Sequence, residues 1–175
     1  EEKMTVAPEF FRNPRNTQKL LAEILDGLRA LHQAGVVHLD LKPENVMLSQ
    51  VNNEVKIIDL GFAFESSYFN TAGATQKFAA PEAQRGEIDE IDARSDLYSA
   101  GKIMEYICSK CNVSLNKNTQ RVVDKCLQED KSKRYACADD AIVDLRKNDK
   151  RGYRILAGGL LLVLLFLVVF TVRVL

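Results

Sequence analysis

Two aspartates, Asp40 and Asp59, stand in polar stretches on either side of two short apolar runs, with Lys42 and Asn45 close behind the first. If the runs pair as a hairpin, the returning chain lays Asp59 beside Asn45. Carboxylate and amide oxygens then make a hard site, suited to Mg2+ held partly by substrate phosphates. Lys42 adds positive charge where a transferring phosphoryl group carries negative charge. Asp40 is left to accept a proton from an attacking hydroxyl. Residue types alone leave a second reading open, in which these are acidic loops that simply face solvent.

The elements that must position these groups follow from the apolar pattern. Thr5 to Arg12 is a short helical stretch ending near Asn13-Pro14. Residues 16–34 predict an amphipathic helix, with Leu20, Leu21, Ile24, Leu25, Leu28 and Leu31 on one face and Gly35 as its stop. His38 to Asn45 is too polar for a core strand and contains a proline, so it reads as a loop. Val46-Met47-Leu48 and Val55 to Ile58 are strand candidates joined across Asn52-Asn53. Residues 60–79 have no period and end at Ala80-Pro81-Glu82; long unperiodic stretches inside a domain tend to be functional. Helical patterns resume at 95–109, 118–128 and 138–147. The fold class expected is mainly α with one small β-hairpin.

The wording of these stretches narrows the chemistry. His38-Leu-Asp-Leu-Lys-Pro-Glu-Asn45, Ile58-Asp-Leu-Gly61, Ala80-Pro-Glu82 and Ser95-Asp-Leu-Tyr-Ser-Ala-Gly101 resemble, in order and spacing, the eukaryotic-type protein serine/threonine kinase family. Cys126-Leu127 with Asp130 and Arg134 is similar to a further element of that family. The resemblance implies the large, C-terminal lobe of a protein kinase that transfers the γ-phosphate of ATP, with Mg2+, to protein substrates. It implies that Asp40 orients and deprotonates the substrate hydroxyl, that Lys42 contacts the γ-phosphate, and that Asn45 and Asp59 hold the metal ions. Met47 falls where the family places an apolar residue beneath the adenine. His38 would support the Asp59 loop, Asp96 would brace the catalytic loop, and Glu82 and Arg134 would form a buried ion pair. Lys42 and Thr75 fall where serine/threonine members of the family carry lysine and threonine, and Thr75 would position the substrate.

Departures from the pattern carry their own expectations. Leu39 replaces an arginine that reads activation-loop phosphate, which implies activity without phosphorylation of that loop, and Leu60 replaces a phenylalanine. About thirty residues separate Asp96 from Cys126, fewer than the family usually has, so a helix that docks substrates is expected to be missing. Nothing before residue 38 resembles a glycine-rich phosphate loop, its lysine or its glutamate partner. The expectation is therefore a kinase fragment lacking the N-terminal lobe and inactive by itself. A catalytically inactive kinase-like membrane scaffold is the alternative, and a small-molecule kinase a weaker third.

Composition adds a location. The 24 basic and 24 acidic residues of the 175 cancel, which argues against a nucleic-acid partner. Ile155 to Val172 carries no charge over eighteen residues, about 27 Å as a helix, close to a bilayer's hydrocarbon thickness. Arg146, Lys147, Lys150, Arg151 and Arg154 precede it and only Arg173 follows, so residues 1–154 are expected in the cytosol. The implied organisation is a kinase lobe over 1–148, a basic juxtamembrane segment over 149–154, and a single transmembrane helix over 155–175 in contact with lipid. Cys108 and Cys111 have the spacing of half a zinc site, but Cys126 and Cys137 are wrongly spaced to complete it, and four reduced structural thiols are expected.

Overall fold

The computed structural model describes residues 8–11, 13–49, 54–59 and 77–147. The chain divides into two units, Glu1–Leu145 and Arg146–Leu175. The first is mainly helical and carries a small antiparallel sheet. Its helices are α1 (Pro8–Phe11), α2 (Pro14–Gln33), α3 (Pro81–Gln84), α4 (Ala93–Cys111), α5 (Lys117–Cys126) and α6 (Ala138–Arg146), with strands β1 (Val46–Leu48) and β2 (Val55–Ile57) between α2 and α3. The predicted span at 155–172 lies outside the described residues; among those described, no helix is long and apolar enough to cross a membrane.

Helix α2 begins two residues before its predicted start. Asn13 caps it by accepting from the Arg15 amide at 3.0 Å, and Pro14 occupies the first turn, where its missing N–H costs nothing. Leu20, Leu21, Ile24, Leu25 and Leu28 are fully buried, while Leu31 is only partly so. The helix stops where expected. Gly35 takes a φ of 75°, and the amides of Gly35 and Val36 return to the carbonyls of His32 and Leu31.

Two contacts seat the sheet on α2. Glu23 accepts a hydrogen bond from the Val55 amide at 2.6 Å. Gly27 lets β2 come close: a Cβ there would lie 2.9 Å from Cδ1 of Ile57. The register pairs Val46 with Ile57, Met47 with Lys56 and Leu48 with Val55. The strands match their predicted places, except that β2 stops one residue short of Ile58; the Asn52-Asn53 connection lies outside the described residues.

Helix α4 is the longest element of the second half. Asp92 and Ser95 form a reciprocal capping box, so the helix starts at Ala93 rather than 95. It ends at Cys111, where Asn112 adopts the left-handed conformation common at helix ends. Asn116 caps α5 by accepting from the Asn118 and Thr119 amides. Helix α3 and a 3-10 turn at Pro43–Asn45 are additions to the predicted elements, each opened by a proline at its first position. Leu97, Ile103, Met104 and Ile107 of α4 join the α2 leucines and Val122, Val123 and Cys126 of α5 in one core.

Candidate functional site

The loop from His38 to Asp40 is held from below by a single carboxylate. Asp96, fully buried near the start of α4, accepts the His38 amide at 2.8 Å on Oδ2 and the Leu39 amide at 2.9 Å on Oδ1. His32, in the last turn of α2, places Nε2 at 2.8 Å from the same Oδ2. Because a carboxylate only accepts, His32 is the donor through Nε2. These three bonds tie α2, α4 and the loop together.

Backbone strain is concentrated in the same place. Leu39 has a φ of 64°, and the Asp40 amide donates to the His38 carbonyl at 2.9 Å, closing a three-residue turn around it. Asp59 has a φ of 65°. A left-handed conformation costs a non-glycine residue about 1–2 kcal/mol, and surrounding contacts must hold it. At Leu39 that hold is the Asp96 carboxylate.

Asp40 is buried, and its two oxygens are used differently. Oδ2 accepts from Lys42 Nζ at 2.6 Å and from Asn45 Nδ2 at 3.1 Å. Oδ1 has no hydrogen-bond partner among the described residues. A buried acceptor without a donor is costly unless another molecule supplies one. Asn45 also donates Nδ2 to the Asp40 carbonyl at 2.9 Å, so its amide nitrogen is committed to Asp40 and its carbonyl oxygen is left to act as a ligand.

The hairpin returns Asp59 to this group. The Ile58 amide donates to the Asn45 carbonyl at 2.9 Å, which sets Asp59 one residue from Asn45's backbone partner. His38 Nε2 lies 3.2 Å from the Ile58 carbonyl and acts as donor to it. The Asp59 side chain is exposed and Met47 is half-buried on β1. Asp40, Lys42, Asn45, His38 and Asp96 are thus joined by direct bonds, and Asp59 reaches them through the backbone. Thr75 lies outside the described residues, as does Leu60.

A second buried group lies beneath α3. Arg134 donates Nη1 to Glu82 Oε1 at 2.7 Å and Nη2 to Glu82 Oε2 at 2.9 Å, a paired contact with both side chains essentially inaccessible. Its remaining N–H groups reach the carbonyls of Gln128, Arg94 and Glu129. Ser95 adds a hydrogen bond to Glu82 at 2.7 Å. Burial pushes the Glu82 carboxyl up, but the bonds from Arg134, its own backbone amide and Ser95 outweigh it and hold the group below its ordinary value.

A protein kinase domain model matches residues 3–132, three-quarters of the chain. The chain belongs to the protein kinase domain family. It is 39% identical over 98 residues to serine/threonine-protein kinase PknB of Mycolicibacterium smegmatis, covering 52% of this chain and 15% of that protein. A probable serine/threonine-protein kinase of Streptomyces coelicolor is 41% identical over 98 residues, again 52% of this chain and 14% of the relative. Serine/threonine-protein kinase dkf-2 of Caenorhabditis briggsae is 39% identical over 95 residues, 51% of this chain and 8% of the relative. The chain therefore spans about one-seventh of the length of the bacterial relatives.

Within this kinase domain, sequence reasoning missed His32. Its signal was present: Leu21, Leu25, Leu28 and His32 follow one another at steps of four, three and four, so the histidine continues an otherwise apolar face. Ser95 and Tyr98 were also missed; Tyr98 lies under the Arg134 guanidinium at 4.9 Å. Among the described residues no cluster of three or more metal-ligating side chains occurs, and the four cysteines are free thiols.

Proposed function

We propose that this kinase domain, completed by an N-terminal lobe that the 175 residues do not contain and without which they are inactive, transfers the γ-phosphate of ATP to serine or threonine hydroxyls of protein substrates. The observation that carries the reading is the division of labour on Asp40. One oxygen accepts from Lys42 and Asn45, while the other is buried without a donor among the described residues. A substrate hydroxyl supplies that donor, and Asp40 orients it and takes its proton as the oxygen attacks phosphorus. Lys42 stands beside the same carboxylate, where its charge stabilises the phosphoryl oxygens.

The oxygen donors of Asn45 and Asp59 suit Mg2+, which prefers hard oxygen ligands shared with phosphates. When bound, the ion neutralises charge on the β- and γ-phosphates. Asn45 fits this role because its amide nitrogen is occupied by Asp40 and its oxygen is not. Met47 would lie against the adenine, and Thr75 would position the substrate segment. The uncharged run at 155–172 and the basic residues before it support a single-pass anchor with the kinase portion in the cytoplasm.

The test is phosphoryl transfer from labelled ATP by the full-length protein in a detergent or nanodisc preparation. Transfer to Ser/Thr peptides is expected with Mg2+, and Asp40→Asn or Asp59→Ala should remove it while the fold's melting temperature stays within a few degrees. Undiminished transfer in both variants would sink the assignment.

A further inference from the structure

Strand β2 is gripped by a side chain that lies outside the site it serves. The ladder uses alternate residues: the Ser49 amide donates to the Glu54 carbonyl at 2.8 Å, and the Ile58 amide to the Asn45 carbonyl at 2.9 Å. Residues of the other parity turn their N–H groups away from the partner strand, so the Val55 amide faces away from β1. Glu23 of α2 meets it there and accepts through Oε2 at 2.6 Å. Its other oxygen, Oε1, lies 3.4 Å from Lys19 Nζ, one turn earlier on the helix. One turn later Gly27 leaves room for Ile57, whose Cδ1 would stand 2.9 Å from a Cβ at that position. Positions 19, 23 and 27 share one face of α2 and together form the seat of β2.

The far end of the same strand delivers Asp59. The Ile58 carbonyl lies 3.2 Å from His38 Nε2, and Asp59 itself has a φ of 65°, a conformation that surrounding contacts must hold. Only four residues, about 13 Å of extended chain, separate Val55 from Asp59. Each strand of the pair has three residues, and a hairpin of that size has little stability of its own. Its place along α2 is therefore set by what it rests on. The packing of Ile57 over Gly27 is non-directional and tolerates sliding. A carboxylate that accepts from one particular backbone amide does not. Glu23 is thus the contact that fixes β2 along the helix, and with it the separation between Asp59 and Asn45.

We infer that Glu23 is a positioning residue for the metal site: by holding the Val55 amide it sets the register of β2 that brings Asp59 to Asn45. The inference rests on the kinase reading and adds a residue to its machinery that touches neither metal nor substrate. Without the Glu23 acceptor, Asn45 and Asp59 sample several separations, and only a fraction of them can share an ion. Apparent metal affinity falls by that fraction, and excess metal recovers it. Glutamine offers an acceptor oxygen at the same reach and keeps the grip, whereas leucine matches the length and offers none.

The experiment compares full-length wild type with Glu23→Gln, Glu23→Leu and Glu23→Ala. Two readouts do not depend on turnover: hydrogen exchange of the Val55 amide in the metal-free protein, and Mn2+ binding in the presence of ATP, followed by the loss of free-ion EPR signal. Mn2+ stands in for Mg2+ because it takes the same oxygen ligands. In Glu23→Leu and Glu23→Ala the Val55 amide should exchange at least about tenfold faster. The Mn2+ dissociation constant should rise about tenfold in both, and raising Mg2+ by a similar factor should recover most of their phosphoryl transfer. Glu23→Gln should stay within about threefold of wild type in both readouts. An unchanged Val55 amide or an unchanged Mn2+ constant in Glu23→Leu and Glu23→Ala would overturn this inference while wild-type transfer persists, and so would a Gln variant as weak as the Leu one. A wild type that neither binds Mn2+ with ATP nor transfers phosphate would overturn the kinase reading and this inference with it.

Discussion

The Asp96 carboxylate holds the His38 backbone amide at 2.8 Å across 58 residues of sequence, and the same oxygen receives Nε2 of His32. The strained turn at Leu39 depends on this arrangement, since its amide is bound by the other Asp96 oxygen. Asp96→Ala should leave two backbone N–H groups and an imidazole without an acceptor. The expected loss is about 3 kcal/mol or more of folding stability, measured by urea unfolding. Phosphoryl transfer should fall at least about 100-fold, because Asp40, the proposed base, follows the turn directly and small misplacements of a catalytic group are that costly. For His32, the conservative His32→Gln keeps a donor and should retain most activity, whereas His32→Leu should lower kcat with little change in KM. Equal kcat for the Gln and Leu variants would show that His32 fills space without holding Asp96.

Glu82 and Arg134 predict an acid-sensitive base beneath α3. The Glu82 carboxyl sits below its ordinary value of 4.5, its burial outweighed by hydrogen bonds from Arg134, its own backbone and Ser95. A carboxyl lowered on folding contributes stability that is complete above its unfolded value and is lost as pH falls through the folded one. Unfolding free energy should therefore fall on acidification below about pH 4.5, the unfolded value. Glu82→Gln should remove that component of the slope and cost about 3–5 kcal/mol at neutral pH, since it leaves the Arg134 charge buried and unpaired. Denaturant titrations of both proteins between pH 3 and 7 measure this. Parallel pH profiles for the two would refute it.

How much of this was legible in the sequence depends on the length scale of each interaction. Helices α2, α4, α5 and α6 were readable because their apolar faces repeat locally, and only their ends moved. Those ends moved where a cap decided them: Asn13 and Asp92 extended α2 and α4 toward the N-terminus. The short helix at Pro81–Gln84 has no period to read. The site residues were legible as words, but the bonds that order them were not. His32 and Asp96 meet across 64 residues, and Gln128, Arg94 and Glu129 contribute only carbonyls to Arg134. A carbonyl belongs to any residue type, so composition carries no trace of it.

Gly101 makes a packing prediction. A Cβ at this position would lie 2.9 Å from both Cγ and Cδ2 of Leu127 and 3.3 Å from Cβ of Cys126. Alanine gains about 1 kcal/mol in helix propensity, but overpacking costs about 1–3 kcal/mol. Since Cys126 Cβ is fixed by the backbone and Leu127 Cγ can retreat only by changing χ1 against its packed neighbours, the clash should win. Gly101→Ala should destabilise by about 1 kcal/mol. Leu127→Ala alone should also destabilise, but the double variant should be more stable than the sum of the two effects predicts, because the new methyl then has room. Strict additivity in a double-mutant cycle by thermal or urea unfolding would refute the contact.

The thiols give a probe of which parts open together. Cys126 is fully buried between α4 and Arg134's loop, and burial pushes its thiol up to about 12. Cys108 and Cys111 are half-buried near the end of α4, and burial raises both, Cys108 further through the neighbouring Cys111 and Glu105. The reactive species is the thiolate, so all three should label slowly with a maleimide or disulfide reagent at pH 7. Their routes to labelling differ, however. Cys126 can be reached only when the core of α4 and α5 separates, so its rate should follow global unfolding and rise steeply with sub-denaturing urea. Cys108 and Cys111 need only the last turn of α4 to fray, so their rates should depend weakly on urea. Peptide mass mapping after timed labelling resolves the sites. If Cys126 labelled as fast as Cys111, with the same weak urea dependence, the contact between α4 and α5 would not be the rigid centre on which the Asp96 and Arg134 anchors depend.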